Sequence, residues 1–378
     1  MSSTTYPNYS PGLEGVIAGI STISEIDSDR SSLIYRGIDV HQLAEHATFE
    51  ETAYLLLMGK LPNRAELDEF RKTLGEEREV PSQVYEALRC LSPKTHPMDV
   101  IRAGMAVLCA YDPDYSVNDH DANVRKAIRM LAKAPTIVCN GYRILNGKQT
   151  LSPKPGLSTA ANFLYMLNGE EPDSYTEKVM DASLTLYAEH GFNASTFAAR
   201  VCISTQSDLY SAIIAAIGTL KGNLHGGANE EAMKMILEIG EPDNAEAWIR
   251  DALANKKKVM GFGHREYKKG DSRAFYLSKI AKDIGERKGN SKYGQIADTL
   301  EQVMLDEKGL YPNVDFPAAY AYYLLGIPIE LYTPIFVISR ISGWSAHAIE
   351  QADNNRLIRP KAIYEGPASA EFVALDQR

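Results

Sequence analysis

The residues whose types and spacing could support chemistry are concentrated in residues 261–273, GFGHREYKKGDSR. His264 follows two glycines that permit a tight turn or a close approach of the backbone to a ligand. Residues 256–273 contain seven Lys or Arg and two acidic residues, whereas the whole chain has a formal charge of -9. A bare lysine run is usually a solvated helix edge. The glycines and the histidine within this one favour a binding site for a small anionic molecule.

Asp315 lies between two prolines in residues 311–317, with Val314 and Phe316 as its neighbours. A carboxylate in a stiff, apolar loop loses hydration, which raises its pKa above the usual value of about 3.9. Such a group suits a general base that takes a proton from carbon. The alternative is an N-cap for the helix predicted to begin near Pro317.

His225 precedes a helix predicted over residues 229–239, whose first turn contains Glu230 and Glu231. The partial positive charge at a helix N-terminus disfavours the imidazolium form, so we expect a neutral His225 near pH 7. A neutral imidazole can donate its N–H to a developing enol oxygen. The alternative is a tight structural turn around the following two glycines, in which the histidine is incidental.

His190 stands at the end of a predicted helix whose start is marked by the capping-box spacing of Ser174 and Glu177. Leu186 and Tyr187 share its helix face, which directs His190 toward the interior. The alternative is a core histidine with satisfied hydrogen bonds, favoured as a cation by the helix C-terminal dipole.

The composition excludes several classes of protein. A pI near 5.5 and a single basic cluster do not provide the broad basic face that nucleic acids need. The most apolar run, residues 212–220, falls well short of the roughly 20 residues that cross a bilayer. Residues 1–10 lack the pattern of an export signal. The four cysteines form no C-x-x-C pair, so we expect reduced thiols in a cytoplasmic protein.

The elements that must position these residues are mostly helical. Residues 15–26 and 32–40 are rich in Ile, Val, Ser and Thr and predict a short N-terminal β-hairpin. The spacing of apolar residues then follows the helical period, with caps and Gly or Pro stops between helices. The predicted helices cover residues 48–58, 63–77, 83–91, 98–109, 122–132, 137–145, 158–167, 174–190, 197–204, 208–220, 229–239, 245–256, 272–284, 291–307, 317–325 and 334–354. This pattern predicts an all-α fold.

The motifs together resemble the citrate synthase family. The pattern G-F-G-H-R-x-Y-K-x-x-D-x-R is similar to that family's signature, and the resemblance extends over residues 12–366. Further motifs follow the family's order at compatible spacing: HPM at 96–98, AEHGFN at 188–193, LHGGAN at 224–229, PNVDF at 312–316 and LIRP at 357–360. Two positions depart from the common pattern, Glu266 for an aliphatic residue and Ser272 for proline, which concerns the geometry of CoA contact.

The resemblance implies a citrate-synthase-like fold of two helical domains. Residues 1–221 and 326–378 would form a large, discontinuous, dimer-forming domain. Residues 222–325 would form a small helical domain on the CoA side. Gly222 and Gly326 stand at the expected hinge, because glycine tolerates the backbone changes of domain closure.

The resemblance also implies the roles of the site residues. The catalytic groups would be His225, His264 and Asp315. Oxaloacetate would be bound by His190, Arg273, Arg340 and Arg359, with Arg359 supplied by the neighbouring subunit of a homodimer. Taken alone, Arg340 is equally consistent with a helix-surface ion pair. Contacts to CoA would come from Lys258, Val259, Gly261, Gly263, Lys268 and Asn313.

The implied reaction condenses acetyl-CoA with oxaloacetate and water to citrate and CoA, with no metal and no cofactor other than the thioester substrate. The alternative within the family is a 2-methylcitrate synthase that uses propionyl-CoA, or a dual activity. The two donors differ by one methylene, which binding discriminates by only about 1–3 kcal/mol. A metal-dependent hydrolase with the three histidines and Asp315 as ligands, and a non-catalytic helical scaffold, are the alternatives from other classes. We expect no allosteric nucleotide control, because the length leaves no room for a further N-terminal domain.

Overall fold

The structure, a computed structural model, describes residues 6, 9–27, 31–264, 267 and 269–378. Within these residues it contains sixteen α-helices and one three-stranded antiparallel sheet, together with short 3-10 turns. The strands are β1 Ser24–Asp27, β2 Ser32–Tyr35 and β3 Ile38–Asp39. The helices are α1 Val40–His46, α2 Phe49–Met58, α3 Arg64–Glu76, α4 Ser82–Arg89, α5 Pro97–Leu108, α6 His120–Leu145, α7 Thr159–Asn168, α8 Ser174–Tyr187, α9 Ala194–Ser204, α10 Leu209–Leu220, α11 Ala228–Ile239, α12 Ala245–Ala254, α13 Ser272–Arg287, α14 Lys292–Lys308, α15 Asp315–Leu324 and α16 Tyr332–Asp353. The predicted all-α class is confirmed.

The N-terminal hairpin is shorter than the sequence pattern suggests. β1 pairs with β2 from Ser24↔Tyr35 to Asp27↔Ser32, and β2 continues into the two-residue β3. The segment before Ser24 has no partner strand in the described residues, and an unpaired segment gains no ladder hydrogen bonds. The predicted second strand is wrong at its end, because the Asp39 carboxylate accepts from His41 N at 2.8 Å and starts α1.

Local capping signals located the starts of α2 and α3. Thr48 begins α2 with the predicted reciprocal capping box to Glu51, and Asn63 begins α3 in the same way. The box predicted at Ser174 is wrong by one residue. Asp173 is the N-cap of α8, because its carboxylate accepts from the second and third amides of the helix.

The helix break predicted at Pro135 is wrong. Residues 122–132 and 137–145 were expected as two helices, but α6 runs unbroken from His120 to Leu145 with Pro135 inside it. A proline in a helix interior removes one hydrogen bond and disfavours the helix by about 3 kcal/mol. Here α6 is buried along most of its length and packs against α5, α7 and α16, which offsets that cost.

The helices pack in two groups that meet at α16 and α8. Helix α16 is buried along almost its whole length between α6, α8, α9 and α10. Helices α11 to α15 pack mainly on one another, with α15 against both α11 and α13. None of the described helices combines the length and the apolar content needed to cross a membrane.

Candidate active site

The C-terminal end of α8 organises the site. Its last carbonyl groups have no partner within the helix. Arg340 Nε, from the middle of α16, donates to the Tyr187 carbonyl at 2.6 Å. The Tyr35 hydroxyl donates to the Glu189 carbonyl at 2.9 Å and lies 3.3 Å from the Leu186 carbonyl oxygen. Arg273 Nη1 lies 3.5 Å from the same Leu186 oxygen. Cations stabilise the negative end of a helix, so this terminus holds two buried arginines close together.

Both arginines are inaccessible to bulk water. Arg340 is 1% exposed and its guanidinium lies 4.5 Å above the ring centroid of Phe336. Burial lowers the pKa of Arg340 to about 10, and the charge of Glu189 opposes this. The alternative of a helix-surface ion pair for Arg340 is therefore wrong. Because a buried guanidinium can form short bidentate hydrogen bonds to carboxylates, this position suits the binding of an anion.

Asp271 holds Arg273 and was not identified as a site residue from the sequence. Its two oxygens accept from Arg273 Nε at 3.0 Å and Nη2 at 2.8 Å, with both residues buried. The same carboxylate caps α13 and accepts from Val314 N at 3.3 Å. Asp271 thus ties the start of α13 to the loop that precedes Asp315. The available signal was an Asp immediately before a predicted helix.

Main-chain hydrogen bonds bring the loop before His264 against the loop before Asp315. Gly263 N donates to Tyr311 O at 2.9 Å, and Asn313 N donates to Gly261 O at 2.9 Å. The Asn313 side chain adds a bond from Nδ2 to Gly263 O at 3.1 Å. These bonds engage the backbone groups of Gly261 and Gly263 that were expected to contact CoA. Their structural role is to join two segments that are about fifty residues apart in the chain.

Asp315 is the first residue of α15 and does not cap it, so the N-cap alternative is wrong. Its Oδ1 accepts from the Tyr187 hydroxyl at 2.8 Å. Burial raises the pKa of Asp315 to about 6, and the hydrogen bond from Tyr187 and the charge of Arg273 limit the rise. The expected increase in basicity follows from these contacts.

His225 is held by Ser195 of α9, which in turn contacts α16. Its Nε2 lies 2.9 Å from Ser195 Oγ and accepts from Ser195 N at 3.3 Å, which favours the tautomer with the proton on Nδ1. Trp344 Nε1 donates to the same Ser195 Oγ at 3.1 Å. Burial lowers the pKa of His225 to about 4, and the charge of Arg340 adds to this. The ring is neutral as expected, although burial is the main cause and not the helix N-terminus.

His264 and His190 lie side by side, with ring centroids 5.0 Å apart. Tyr267 N lies 3.4 Å from His264 Nδ1, and the Tyr267 hydroxyl lies 3.2 Å from His190 Nε2. Burial and the charge of Arg273 lower the pKa of His264 to about 4 and that of His190 well below its usual value. The alternative of a cationic core His190 is therefore wrong, because burial and the arginines outweigh the helix dipole.

Glu189, next to His190, is a fully buried carboxylate that sequence reasoning also missed. Its Oε1 accepts from His347 Nε2 at 2.9 Å, from Ser24 Oγ at 3.0 Å and from Gly191 N. Glu189 N donates to the Tyr35 hydroxyl at 3.2 Å. The amides of Glu189 and Gly191, on either side of His190, are therefore both held by hydrogen bonds. Glu189 is also an opposite charge for Arg340 within the buried region.

The remaining expected residues lie around this centre or outside it. A cavity of about 200 Å³ is lined by residues of the two paired loops, among them His264, Tyr267, Asp271 and Tyr311. Lys258 is exposed, whereas the side chain of Val259 is buried. Lys268 and Glu266 lie outside the described residues. Arg359 is exposed in the segment that follows α16.

The hypothesis of a metal site formed by the three histidines and Asp315 finds no support in the contacts. Among the residues that the structure describes, no group of three or more His, Cys, Asp or Glu side chains is arranged to hold a metal ion. Asp315 is instead bound to a tyrosine and His225 to a serine.

Gly261→Ala is expected to destabilise the protein by on the order of 2 kcal/mol and to lower activity. Gly261 has a φ of +83°, and an added Cβ would lie 2.7 Å from Cβ of Phe316, the residue after Asp315. Gly263→Ala is the matched control, because Gly263 has a similar φ of +79° but its Cβ would lie 3.6 Å from Leu310. Thermal unfolding of both variants measures the loss of stability. Equal losses of stability in the two variants would mean that the clash with Phe316 is unimportant.

The fold and the site define an all-α protein in which Asp315, His225 and His264 each lie within electrostatic reach of a buried arginine, Arg273 or Arg340. A family model described as citrate synthase, C-terminal domain, matches residues 12–361. The chain is 48% identical to citrate synthase 2 of Bacillus subtilis over 97% of this chain and 98% of the relative. It is 46% identical to the 2-methylcitrate synthase of Mycobacterium tuberculosis over 95% and 91%.

A solved structure of Thermoplasma acidophilum citrate synthase, in complex with carboxymethyl coenzyme A and oxaloacetate, is also similar to this chain. The TM-score is 0.93 at 36% identity, with 98% of this chain and 99% of that chain covered. The chain belongs to the citrate synthase family.

Proposed function

We propose that this enzyme condenses acetyl-CoA with oxaloacetate and water to form citrate and CoA. The observation that carries the proposal is that Asp315, of pKa about 6, and two histidines of pKa about 4 each feel the charge of a buried arginine, Arg273 or Arg340. A base of this strength, neutral hydrogen-bond donors and cations are the groups needed to form an enol and direct it to an anionic keto acid.

Asp315 takes a proton from the methyl carbon of the thioester, and the electrons of that C–H bond form the C=C bond of the enol. The carbonyl oxygen of the thioester receives a hydrogen bond from His225 as negative charge develops on it. The enol carbon then attacks the ketone carbon of oxaloacetate, whose oxygen receives a proton from His264. Water hydrolyses the resulting thioester and releases the thiol of CoA.

Oxaloacetate carries two carboxylates, and planar arginines bind such groups best. We assign Arg273 and Arg340 to this task together with His190, which lies against His264. Arg359 is exposed in the single chain, which supports its assignment to the site of a second subunit in a homodimer. We further propose a cytoplasmic enzyme of the tricarboxylic acid cycle that needs no metal or cofactor.

The proposed domains are residues 1–221 with 326–378, and residues 222–325. The cavity of about 200 Å³ beside His264 is smaller than the usual 300–1,000 Å³ of sites for ligands of cofactor size. We therefore propose that the small domain moves when a CoA thioester enters. Gly326 has a φ of +78° and Gly222 is exposed, which suits both positions to a hinge. CoA contacts remain assigned to Lys258, Val259, Lys268 and Asn313, with Gly261 and Gly263 shaping the loop.

Release of thiol from acetyl-CoA in the presence of oxaloacetate tests the function, and no release with either acyl donor would contradict it. Propionyl-CoA measured beside acetyl-CoA distinguishes citrate from 2-methylcitrate formation. A higher kcat/KM with propionyl-CoA would favour the second reaction, which the similarity to a 2-methylcitrate synthase supports. Full activity after exhaustive chelation would remove the metal-dependent alternative.

The pH dependence of kcat/KM is expected to show an acid limb near pH 6. Asp315 acts as a base only when ionised, and its pKa is raised to about 6, so activity should fall about tenfold per pH unit below that value. His225 and His264, with pKa values of about 4, stay neutral over this range and do not cause the limb. Initial rates at constant ionic strength over a range of pH measure the acid limb. A limb near the ordinary aspartate pKa would contradict the effect of burial on Asp315.

A further inference from the structure

Tyr187 connects the two halves of the proposed site. Its hydroxyl donates to Asp315 Oδ1 at 2.8 Å, and its carbonyl accepts from Arg340 Nε at 2.6 Å. Its ring packs edge-on against Phe336 with centroids 4.5 Å apart, and the Arg340 guanidinium covers the same phenylalanine ring. One residue at the end of α8 therefore contacts the proposed base and a proposed oxo-acid arginine.

The bond to Asp315 distinguishes the two oxygens of the carboxylate. Oδ1 is engaged by the Tyr187 hydroxyl, whereas the structure records no hydrogen bond to Oδ2 among the described residues. Asp315 N is held separately by Asn313 Oδ1 at 3.1 Å, which fixes the backbone but not the carboxylate. The orientation of the carboxylate plane thus depends on the tyrosine.

We propose that Tyr187 is a positioning residue that holds Asp315 by Oδ1 and leaves Oδ2 as the oxygen that accepts the proton from the thioester's α-carbon. The inference rests on the proposed condensation. A hydrogen bond at Oδ1 prevents rotation of the carboxylate and keeps the lone pairs of Oδ2 directed at the substrate carbon. The hydroxyl stabilises the ionised form of Asp315, so the base is available at neutral pH despite its burial.

Several other charged groups act on the same carboxylate. Arg273 on α13 and Arg340 on α16 favour its ionised form, and Asp271 before α13 opposes it. Burial raises the pKa of the Tyr187 hydroxyl, so it remains a donor throughout the working range of pH. Tyr187 is the neutral group among them, so its contact with Asp315 can be removed without removing a charge.

Tyr187→Phe removes the hydroxyl and keeps the ring on Phe336. We expect kcat at pH 7 to fall about 10- to 100-fold, as for loss of one hydrogen bond to a charged group together with misorientation of a base. KM for oxaloacetate should stay within about twofold, because the Tyr187 carbonyl remains. The acid limb of the pH profile should move to higher pH, since the ionised form of Asp315 loses its donor.

Tyr322→Phe is the matched control. Tyr322 is a buried tyrosine on α15 whose hydroxyl lies 2.5 Å from Ser183 Oγ and forms no recorded bond to Asp315. Its removal should lower stability without moving the acid limb. A purely structural role for Tyr187 predicts the same outcome for both variants, with unchanged pH profiles, and that result would overturn the proposal.

A second substitution applies if Tyr187→Phe does not fold. Site-specific 3,5-difluorotyrosine at position 187 keeps the shape of the ring and makes the hydroxyl a stronger donor, so the acid limb should move to lower pH. An unchanged limb would overturn the proposal. Both experiments start from the unmodified protein, whose thiol release with acetyl-CoA and oxaloacetate is measured first. Inactivity at that stage rejects the condensation itself, whereas failure of only the Tyr187 effects rejects the positioning role.

Discussion

Asp315→Asn is expected to reduce kcat for thiol release by on the order of 10³-fold or more, because an amide cannot accept the proton from the α-carbon. The substitution keeps the shape of the side chain, and an asparagine oxygen can still accept from the Tyr187 hydroxyl, which now bonds Oδ1 at 2.8 Å. The start of α15 should also persist, since Asp315 does not cap it.

Oxaloacetate binding separates loss of the base from loss of the fold. Calorimetric titration of the Asp315→Asn protein should give an affinity close to that of the unmodified protein, because Arg273 and Arg340 are held by Asp271 and by the Tyr187 carbonyl. Asp251→Asn, at an exposed acidic residue on α12, is the control for a simple change of charge. Turnover that survives Asp315→Asn would assign proton removal to another group.

Arg359→Ala is expected to lower kcat/KM for oxaloacetate about 100-fold. A charge-assisted hydrogen bond to a carboxylate contributes about 1.5–3 kcal/mol, and each 1.4 kcal/mol corresponds to a factor of ten. Arg359 is exposed in the single chain, so a self-contained site would lose little. Arg356→Ala is the matched control, an exposed arginine three residues earlier in the same segment.

Mixed dimers test whether the site is shared. A subunit with Arg359→Ala and a subunit with Asp315→Asn are each expected to be nearly inactive as homodimers. In a heterodimer, one site combines an intact Asp315 with an intact Arg359 from the partner, so activity should partly return. Sedimentation of the unmodified protein shows whether it is a dimer, as a shared site requires. A dimer without recovery would favour self-contained sites.

The residues of the site differ in how far the sequence could predict them. Asp315, His225 and His264 stood out because each lies in a glycine- or proline-flanked motif where a polar side chain is locally unexpected. Tyr187 and Asp271 did not, because a tyrosine on an apolar helix face and an aspartate at a helix start have ordinary structural explanations. Their contacts reach Asp315 and Arg273 through packing that no local pattern contains.

The helices show the same division. Thr48 and Asn63 were located correctly, because capping depends on residues within one turn of the chain. The break expected at Pro135 was wrong, because the cost of a proline is local while the packing that offsets it comes from α5, α7 and α16. Arg340 is a similar case, since a charge on a helix gives no sign by itself of whether it faces water or a buried carbonyl.

The sequence by itself determined the helical class, most helix boundaries, the family motifs and the residue types available for catalysis, because these depend on neighbours within a few positions. Only the tertiary structure decided which carbonyls receive the arginines, which oxygen of Asp315 is bound, and that His190 is neutral. Those properties depend on burial and on groups far apart in the chain, such as Tyr187 and Asp315 at a separation of 128 residues. Desolvation and Coulomb interactions act through space, so they exist only once the helices have packed.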